Sequence, residues 1–398
     1  MRQRLLTVLR GEKPAHLPFI TRLETWHKSR IRTNTIPEHL RGLTLDQVHA
    51  AVGIGRLKFS APFAFRLRGV EVKATFNGDP LFQAFEPTIE NFPGMWDIVP
   101  TDRPGETVTE LITPRGKLTL QHKLLPDSVL NGTDPYLKRH LIQDIDDLRI
   151  LEYILEKAEY VPLYEKIHED DTIVGENGFV IPLLYRIPFQ QVLLEYLGEV
   201  PLFRALRQRP NQVRHLFEIL DQQMLSIIQE VTSLDVPYVE FPDNLHGPMT
   251  SPRLFNEFCL PMYQKYCDAL HAQGKKVGSH TDGDMRPLLN LLTQSGLDVC
   301  ESFSPFPLTS CTFEEAWCVW EKGPMIWGAI PSLILEEWIS EDEFRAYMQN
   351  LFEKIDRPII FGIVDLFMHH NSIERATSIA SWIESNELFD LKVNSSEV

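Results

Sequence analysis

The stretch Lys275-Lys-Val277-Gly278-Ser-His280-Thr-Asp282-Gly-Asp284 decides how this chain is read. A short β-prone run ends in a histidine and two carboxylates at i, i+2 and i+4. A segment with apolar residues at 3–4 spacing, about 285–295, follows. Polar side chains crowded between a strand and the next helix point to a site, and in a ring of alternating strands and helices chemistry sits at that end of the strands.

The same alternation runs outward from this stretch. Strands are expected at Thr172-Ile-Val174, Val236-Pro-Tyr-Val-Glu240, Lys276-Val-Gly278, Leu297-Asp-Val-Cys300, Met325-Ile-Trp327 and Pro358-Ile-Ile-Phe361. Helices are expected over 188–197, 200–206, 211–233, 252–273, 285–295, 312–321, 341–354 and 372–384. Repeated β-α units predict a parallel sheet covered by helices. The expected fold class is α/β, a (β/α)8 TIM barrel with an N-terminal insertion of extra β-strands. A doubly wound open sheet is the alternative, but no glycine-rich phosphate loop follows any strand, and Gly175-Glu-Asn-Gly178 lacks the dinucleotide spacing. The whole chain, 1–398, is expected to form a single barrel domain. Residues 1–170 would hold the first strand, Leu17-Pro-Phe-Ile20, and the proline-rich insertion; within it, a helix is expected near 44–52 and strands near 65–76, 107–112 and 116–124. Residues 171–385 would hold the main β/α units, and 386–398 a tail.

Composition narrows the partners. A net charge of −16 with no long basic run disfavours nucleic acid and anionic membranes. No run of about 18 apolar residues exists to span a bilayer. The first ten residues are too short and too charged for a secretory signal and read as an amphipathic helix. Five cysteines without a C-x-x-C pair fit free thiols in a reducing cytoplasm.

Carboxylates recur after the expected strands: Glu176; Glu240 and Asp243; Asp282 and Asp284; Glu301; and Asp365. Such a face calls for a metal, a cationic ligand or retained protons. In an extended segment His280 and Asp282 point to one side. They would bind one metal ion with Glu240, Glu301 or Asp365, zinc being one that accepts these ligands; alternatively, His280 is a barrel histidine oriented by a carboxylate. The expected catalytic set is His280, Asp282, Glu240, Asp243 and Glu301. The expected metal ligands are His280, Asp282 and Asp365. Trp26 and Glu24 after the first strand, Arg186, Asn244 and His246 are candidates for holding substrate.

Taken in order, Ser251-Pro-x-x-Phe255-x-x-Phe258-x-x-Pro261-x-Tyr263, Gly274, His280-x-Asp282-Gly-Asp284, Gly296-Leu-Asp298, Trp327-Gly-Ala-Ile-Pro331 and Gly362-Ile-Val-Asp365 resemble the uroporphyrinogen decarboxylase (URO-D) superfamily over about 170–385. The resemblance implies a (β/α)8 barrel and one of two chemistries. True uroporphyrinogen decarboxylases bind a poly-acidic tetrapyrrole through an N-terminal Arg-Gln-Ala-Gly-Arg motif, whereas Thr21-Arg-Leu-Glu-Thr-Trp26-His-Lys stands here. The other branch moves methyl groups to or from a corrinoid carried by a partner protein, and its zinc-dependent members use His-x-Cys and a later Cys. His280 matches that histidine, Asp282 stands at the first cysteine and Asp365 falls near the second. Oxygen ligands suit a harder metal or an oxygen acceptor better than a thiolate. The resemblance therefore implies a corrinoid-linked methyltransferase, possible zinc or another divalent metal, and a corrinoid-protein partner. The alternatives are a cofactor-independent decarboxylase of a porphyrinogen-like or other carboxylated substrate, with Arg22, Arg30 or Arg186 as anchors, and a non-catalytic small-molecule-binding barrel.

Overall fold

The computed structural model describes residues 1–364 and 366–385. Eight parallel strands carry the architecture: β1 (Ile20–Thr21), β2 (Gly55–Ser60), β3 (Gly178–Pro182), β4 (Tyr238–Phe241), β5 (Lys276–His280), β6 (Val299–Phe303), β7 (Met325–Pro331) and β8 (Ile360–Val364). They form a three-stranded sheet, β1-β2-β3, and a five-stranded sheet, β4-β5-β6-β7-β8. Single parallel bridges touch both seams, Phe19 to Phe361 and Leu183 to Glu240. Main-chain bonds from Phe361 N to Pro18 O (2.9 Å) and Leu184 N to Glu240 O (2.8 Å) accompany them. The α/β class with parallel sheets is as the sequence predicts.

The later strands are buried along nearly their whole length, as expected of parallel strands covered on both faces. One cluster gathers Ile20, Leu57, Phe179, Ile181, Tyr238, Val299, Trp327 and Ile360 with Leu5, Val8 and Leu9 of the first helix, Arg2–Leu9. These residues come from every parallel strand except β5. Helix Arg2–Leu9 thus packs its apolar side onto the strands, as its amphipathic pattern predicts.

Two expectations need correction. Thr172-Ile-Val174 is no strand; it closes helix Tyr164–Val174, and the strand follows at Gly178–Pro182. Ile167 and Val174 pack there against Val180 and Leu234, so tertiary burial overrides the β-branched preference. Glu176 therefore precedes its strand, and its carbonyl accepts from the Met1 amine (3.2 Å) at the opposite end from the expected site. Strand β2 goes unread in the sequence because Arg56 and Lys58 interrupt its apolar pattern. Arg56 pairs with Asp46, and Lys58 with Asp170 (2.5 Å), which makes those charges tolerable beneath the helices.

An antiparallel five-stranded sheet lies before the later units, in the order Asp79–Phe85, Glu71–Phe76, Gly105–Thr113, Gly116–Leu124, Tyr136–Arg139. No helix among the described residues is long and apolar enough to cross a membrane.

Candidate functional site

Register brings the site together. His280 on β5 pairs with Glu301 on β6, and Glu240 on β4 pairs with Gly278, two residues before His280. Side chains two apart on a strand share a face, so Glu240, His280 and Glu301 project to one side of the sheet. One ligand atom from each lies within 4.8 Å of the other two, and all three residues are buried. His280 Nδ1 and Glu301 Oε2 share a short hydrogen bond. The β6 register slips between Cys300 and Phe303, and Ser302 adopts a left-handed φ of 61°. Such an irregularity re-aims the neighbouring side chain.

Below Glu240, Tyr238 Oη donates to Oε2 at 2.8 Å, while Oε1 is buried with no partner. Burial first, then the Glu301 charge, push the Glu240 carboxyl well above the usual carboxylate range. Burial works against the charged imidazole of His280, but the Glu301 carboxylate outweighs it, with Asp282 adding to the effect, and the pKa rises to about 9. Phe59 meets the His280 ring edge-on at 6.5 Å, and the Arg22 guanidinium lies 5.0 Å from the Phe59 ring centre.

The raised His280 pKa has a stability consequence. A histidine charged more readily when folded stabilises the chain fully below its unfolded pKa, near 6.5, and loses that contribution as pH climbs through about 9. Melting of the metal-free protein is expected to fall over this window and to flatten in His280→Gln. A wild-type profile flat from pH 6.5 to 9 would contradict the assignment.

The other sequence candidates take different places. Asp282 Oδ2 stands 3.8 Å from His280 Nε2 and accepts from Asn244 Nδ2 at 3.1 Å. Asn244 holds a left-handed φ of 48°, a conformation asparagine tolerates. Its Oδ1 accepts from Arg186 Nη1 (2.7 Å), whose Nε pairs with Glu195 (2.8 Å). The guanidinium of Arg186 is thus engaged within the chain and braces Asn244 against Asp282. Asp243 lies away from the trio. Its carboxylate accepts from Ile187 N (2.8 Å), Tyr263 Oη (2.6 Å) and Ser279 Oγ (3.1 Å). Ser279 alternates with Gly278 and His280, so Asp243 fastens β4 and β5 to the helix Leu260–His271. Burial, opposed by these hydrogen bonds, raises its pKa to about 6. His246 Nδ1 accepts from Asp284 N at 3.1 Å, zipping together the loops after β4 and β5. A Cβ on Gly283 would come within 2.5 Å of Leu245 O, so that close approach requires glycine. Glu24 and Trp26 ride on helix Glu24–Arg32, directly after β1. Burial raises the Glu24 carboxyl, and Trp26 packs on Phe367 with ring centres 6.1 Å apart. Asp365 lies outside the described residues.

The structure therefore gathers Glu240 and Glu301 around His280, two carboxylates the sequence reading placed among the catalytic residues and offered, with Asp365, as partners of His280 and Asp282 on a metal. Tyr238 and Gly278 went unnamed as site residues, although strand alternation places Tyr238 beneath Glu240. Arg22 and Phe59 came together only through the fold. The trio fits a divalent cation: a nitrogen and carboxylate oxygens of suitable type, and an unpartnered oxygen on Glu240.

No curated protein matches this sequence. The solved structure of a methyltransferase from Methanosarcina mazei superposes with a TM-score of 0.56, covering 96% of this chain and 98% of that one at 12% identity. A structure from work on the pneumococcal virulence factor StrH and N-glycan recognition and hydrolysis gives a TM-score of 0.36 at 9% identity, over 96% of this chain and 88% of that one. The uroporphyrinogen decarboxylase (URO-D) family model matches residues 199–358. Residues 199–358 are thus similar to the URO-D family, and the motifs from Ser251 to Pro331 lie within that span.

Proposed function

We propose that this protein is a methyltransferase of the URO-D superfamily that moves a methyl group to or from a corrinoid carried by a partner protein, assisted by a divalent metal. The observation that supports it most is the buried trio Glu240, His280 and Glu301 at the C-terminal ends of three consecutive parallel strands. The eight strands with bridged seams are read as a (β/α)8 barrel, the antiparallel sheet as its N-terminal insertion, and the whole as one domain working in the cytoplasm.

Glu240, His280 and Glu301 would hold the metal, with Asp282 beside His280 Nε2. Bound there, the ion supplies Lewis acidity that polarises the methyl acceptor or lowers its pKa. The protein's own part is positional. Glu301 fixes the His280 ring through Nδ1 and leaves Nε2 directed toward Asp282. Tyr238 orients Glu240, and Arg186 and Asn244 orient Asp282. Phe59 and the apolar layer around Trp327 keep bulk water from beneath the trio.

The test is demethylation of a methylated corrinoid protein by the metal-loaded enzyme with thiol, pterin or hydroxyl acceptors, followed through the cobalt–methyl absorbance. Acceptor-dependent loss of that absorbance is expected. No transfer to any acceptor, with carbon dioxide released from a carboxylated substrate instead, would assign the site to a decarboxylase.

A further inference from the structure

A cavity of about 580 Å³ lies away from the trio, where helix Leu148–Lys157 and the strands Phe63–Leu67 and Ala158–Pro162 meet helix Pro210–Val231. No residue that lines it belongs to the trio or supports it. Its size falls within the range of about 300–1,000 Å³ usual for small-molecule sites. Leu155, Ala158, Ile219, Ile227 and the Phe65 ring supply apolar lining. Gln223 Nε2 donates to Leu155 O at 2.9 Å and ties the two helices together.

The formal charges on this lining have one sign. Glu156 comes from helix Leu148–Lys157 and Glu218 from helix Pro210–Val231, and no lysine or arginine lines the cavity. Among the described residues Glu156 forms no ion pair, and Glu218 has only His215, 3.6 Å away. Glu152 stands one turn before Glu156, a like-charge pair at i,i+4 that costs the helix stability. Burial raises the Glu152 carboxyl, with the Glu156 charge adding to it and His215 opposing. Tyr160 adds an acceptor. Tyr164 Oη donates its proton to Glu230 O at 2.7 Å, so Tyr160 Oη, 3.2 Å away, is the donor of that pair and keeps a lone pair for another donor. Carboxylates on two helices with apolar surface between them match an aliphatic chain that carries ammonium groups.

We propose that this cavity binds a linear aliphatic polyamine. Its ammonium groups donate to Glu156, Glu218 and Tyr160 Oη, and its methylenes cover Leu155, Ile219 and Ile227. Bound there, the ligand relieves the repulsion between Glu152 and Glu156 and bridges the two helices. A bare metal cation would leave the volume and the apolar lining unfilled. The site shares no residue with the trio, so it stands or falls apart from methyl transfer.

Spermidine and the neutral chain octanediol are titrated calorimetrically against the full chain at about 0.15 M salt, where long-range attraction to an acidic protein is largely screened. Spermidine is expected to bind at least about tenfold more tightly than octanediol. Glu156→Gln and Glu218→Gln are each expected to weaken it about fivefold, and the double variant about tenfold or more. Glu353→Gln removes the same charge from the distant helix Glu341–Glu353 and should leave the affinity unchanged. Equal weakening by Glu353→Gln would reduce the effect to general attraction and overturn the site. So would octanediol binding as tightly as spermidine, displacement of spermidine by equimolar magnesium, or no binding of spermidine by wild type. A lysine-rich peptide that binds there tenfold more tightly than spermidine would assign the cavity to a protein partner instead. Glu156 and Glu218 are exposed, and melting curves confirm that their glutamine variants stay folded. If one of them does not, the other decides.

Discussion

His280→Ala is expected to lose divalent-metal affinity by about a hundredfold or more, taking the effect of outer-shell changes as a floor, and methyl transfer should fall with it. The imidazole is the trio's only nitrogen donor, and Glu301 is bound to it through Nδ1. Its removal leaves two buried carboxylates facing each other without an intervening cation. Burial already pushes Glu240 toward its protonated form, and Glu301 adds to that. Losing the positive imidazole removes a charge that favours ionised Glu240, and a protonated carboxyl is a poor metal ligand. His280→Gln restores a polar side chain of similar reach but no imidazole, and is expected to recover folding more than affinity. Melting curves taken beside calorimetric metal titrations separate the two. Tight metal binding retained in a folded His280→Ala protein would remove the imidazole from the ligand set.

Gly278→Ala should be the most damaging single-methyl change. A Cβ there would lie 1.8 Å from Tyr238 Oη and 2.6 Å from its Cζ, closer than any real contact. Both residues are buried between β4 and β5, so the tyrosine has no free volume to retreat into. The phenol must shift, and Glu240 loses its hydroxyl donor. Overpacking and the broken hydrogen bond together are expected to cost about 2–5 kcal/mol, read from denaturant unfolding. Tyr238→Phe removes the hydroxyl alone and is expected to cost about 1–3 kcal/mol. A Gly278→Ala protein as stable as wild type would mean that Tyr238 does not pack against β5 as described.

Much of this arrangement is legible before folding is considered. The alternation of apolar runs with 3–4 spaced segments from Pro188 onward places most later elements to within a few residues, because strands buried on both faces and helices buried on one carry different periods. His280 and Glu301 stand out as polar groups at strand ends. What stays hidden depends on contacts between distant segments. The charges on β2 mask a buried strand until Asp46 and Asp170 neutralise them. Val174 reads as strand until its helical packing on Val180 and Leu234 is visible. Asp243, Arg186 and His246 look like reactive groups in the chain, yet their partners Tyr263, Glu195 and Asp284 lie 20, 9 and 38 residues away and turn them into fasteners. The grouping of Glu240 with Glu301 depends on register, which no local pattern specifies.

On the proposed function, Glu240, His280 and Glu301 hold a metal. Elemental analysis of the purified protein, after equilibration with divalent ions and buffer exchange, tests it most directly, with His280→Ala treated alongside. About one ion per chain is expected in the wild type, and its loss in the folded variant. A wild-type protein that takes up no divalent ion yet transfers methyl groups at full rate would contradict it.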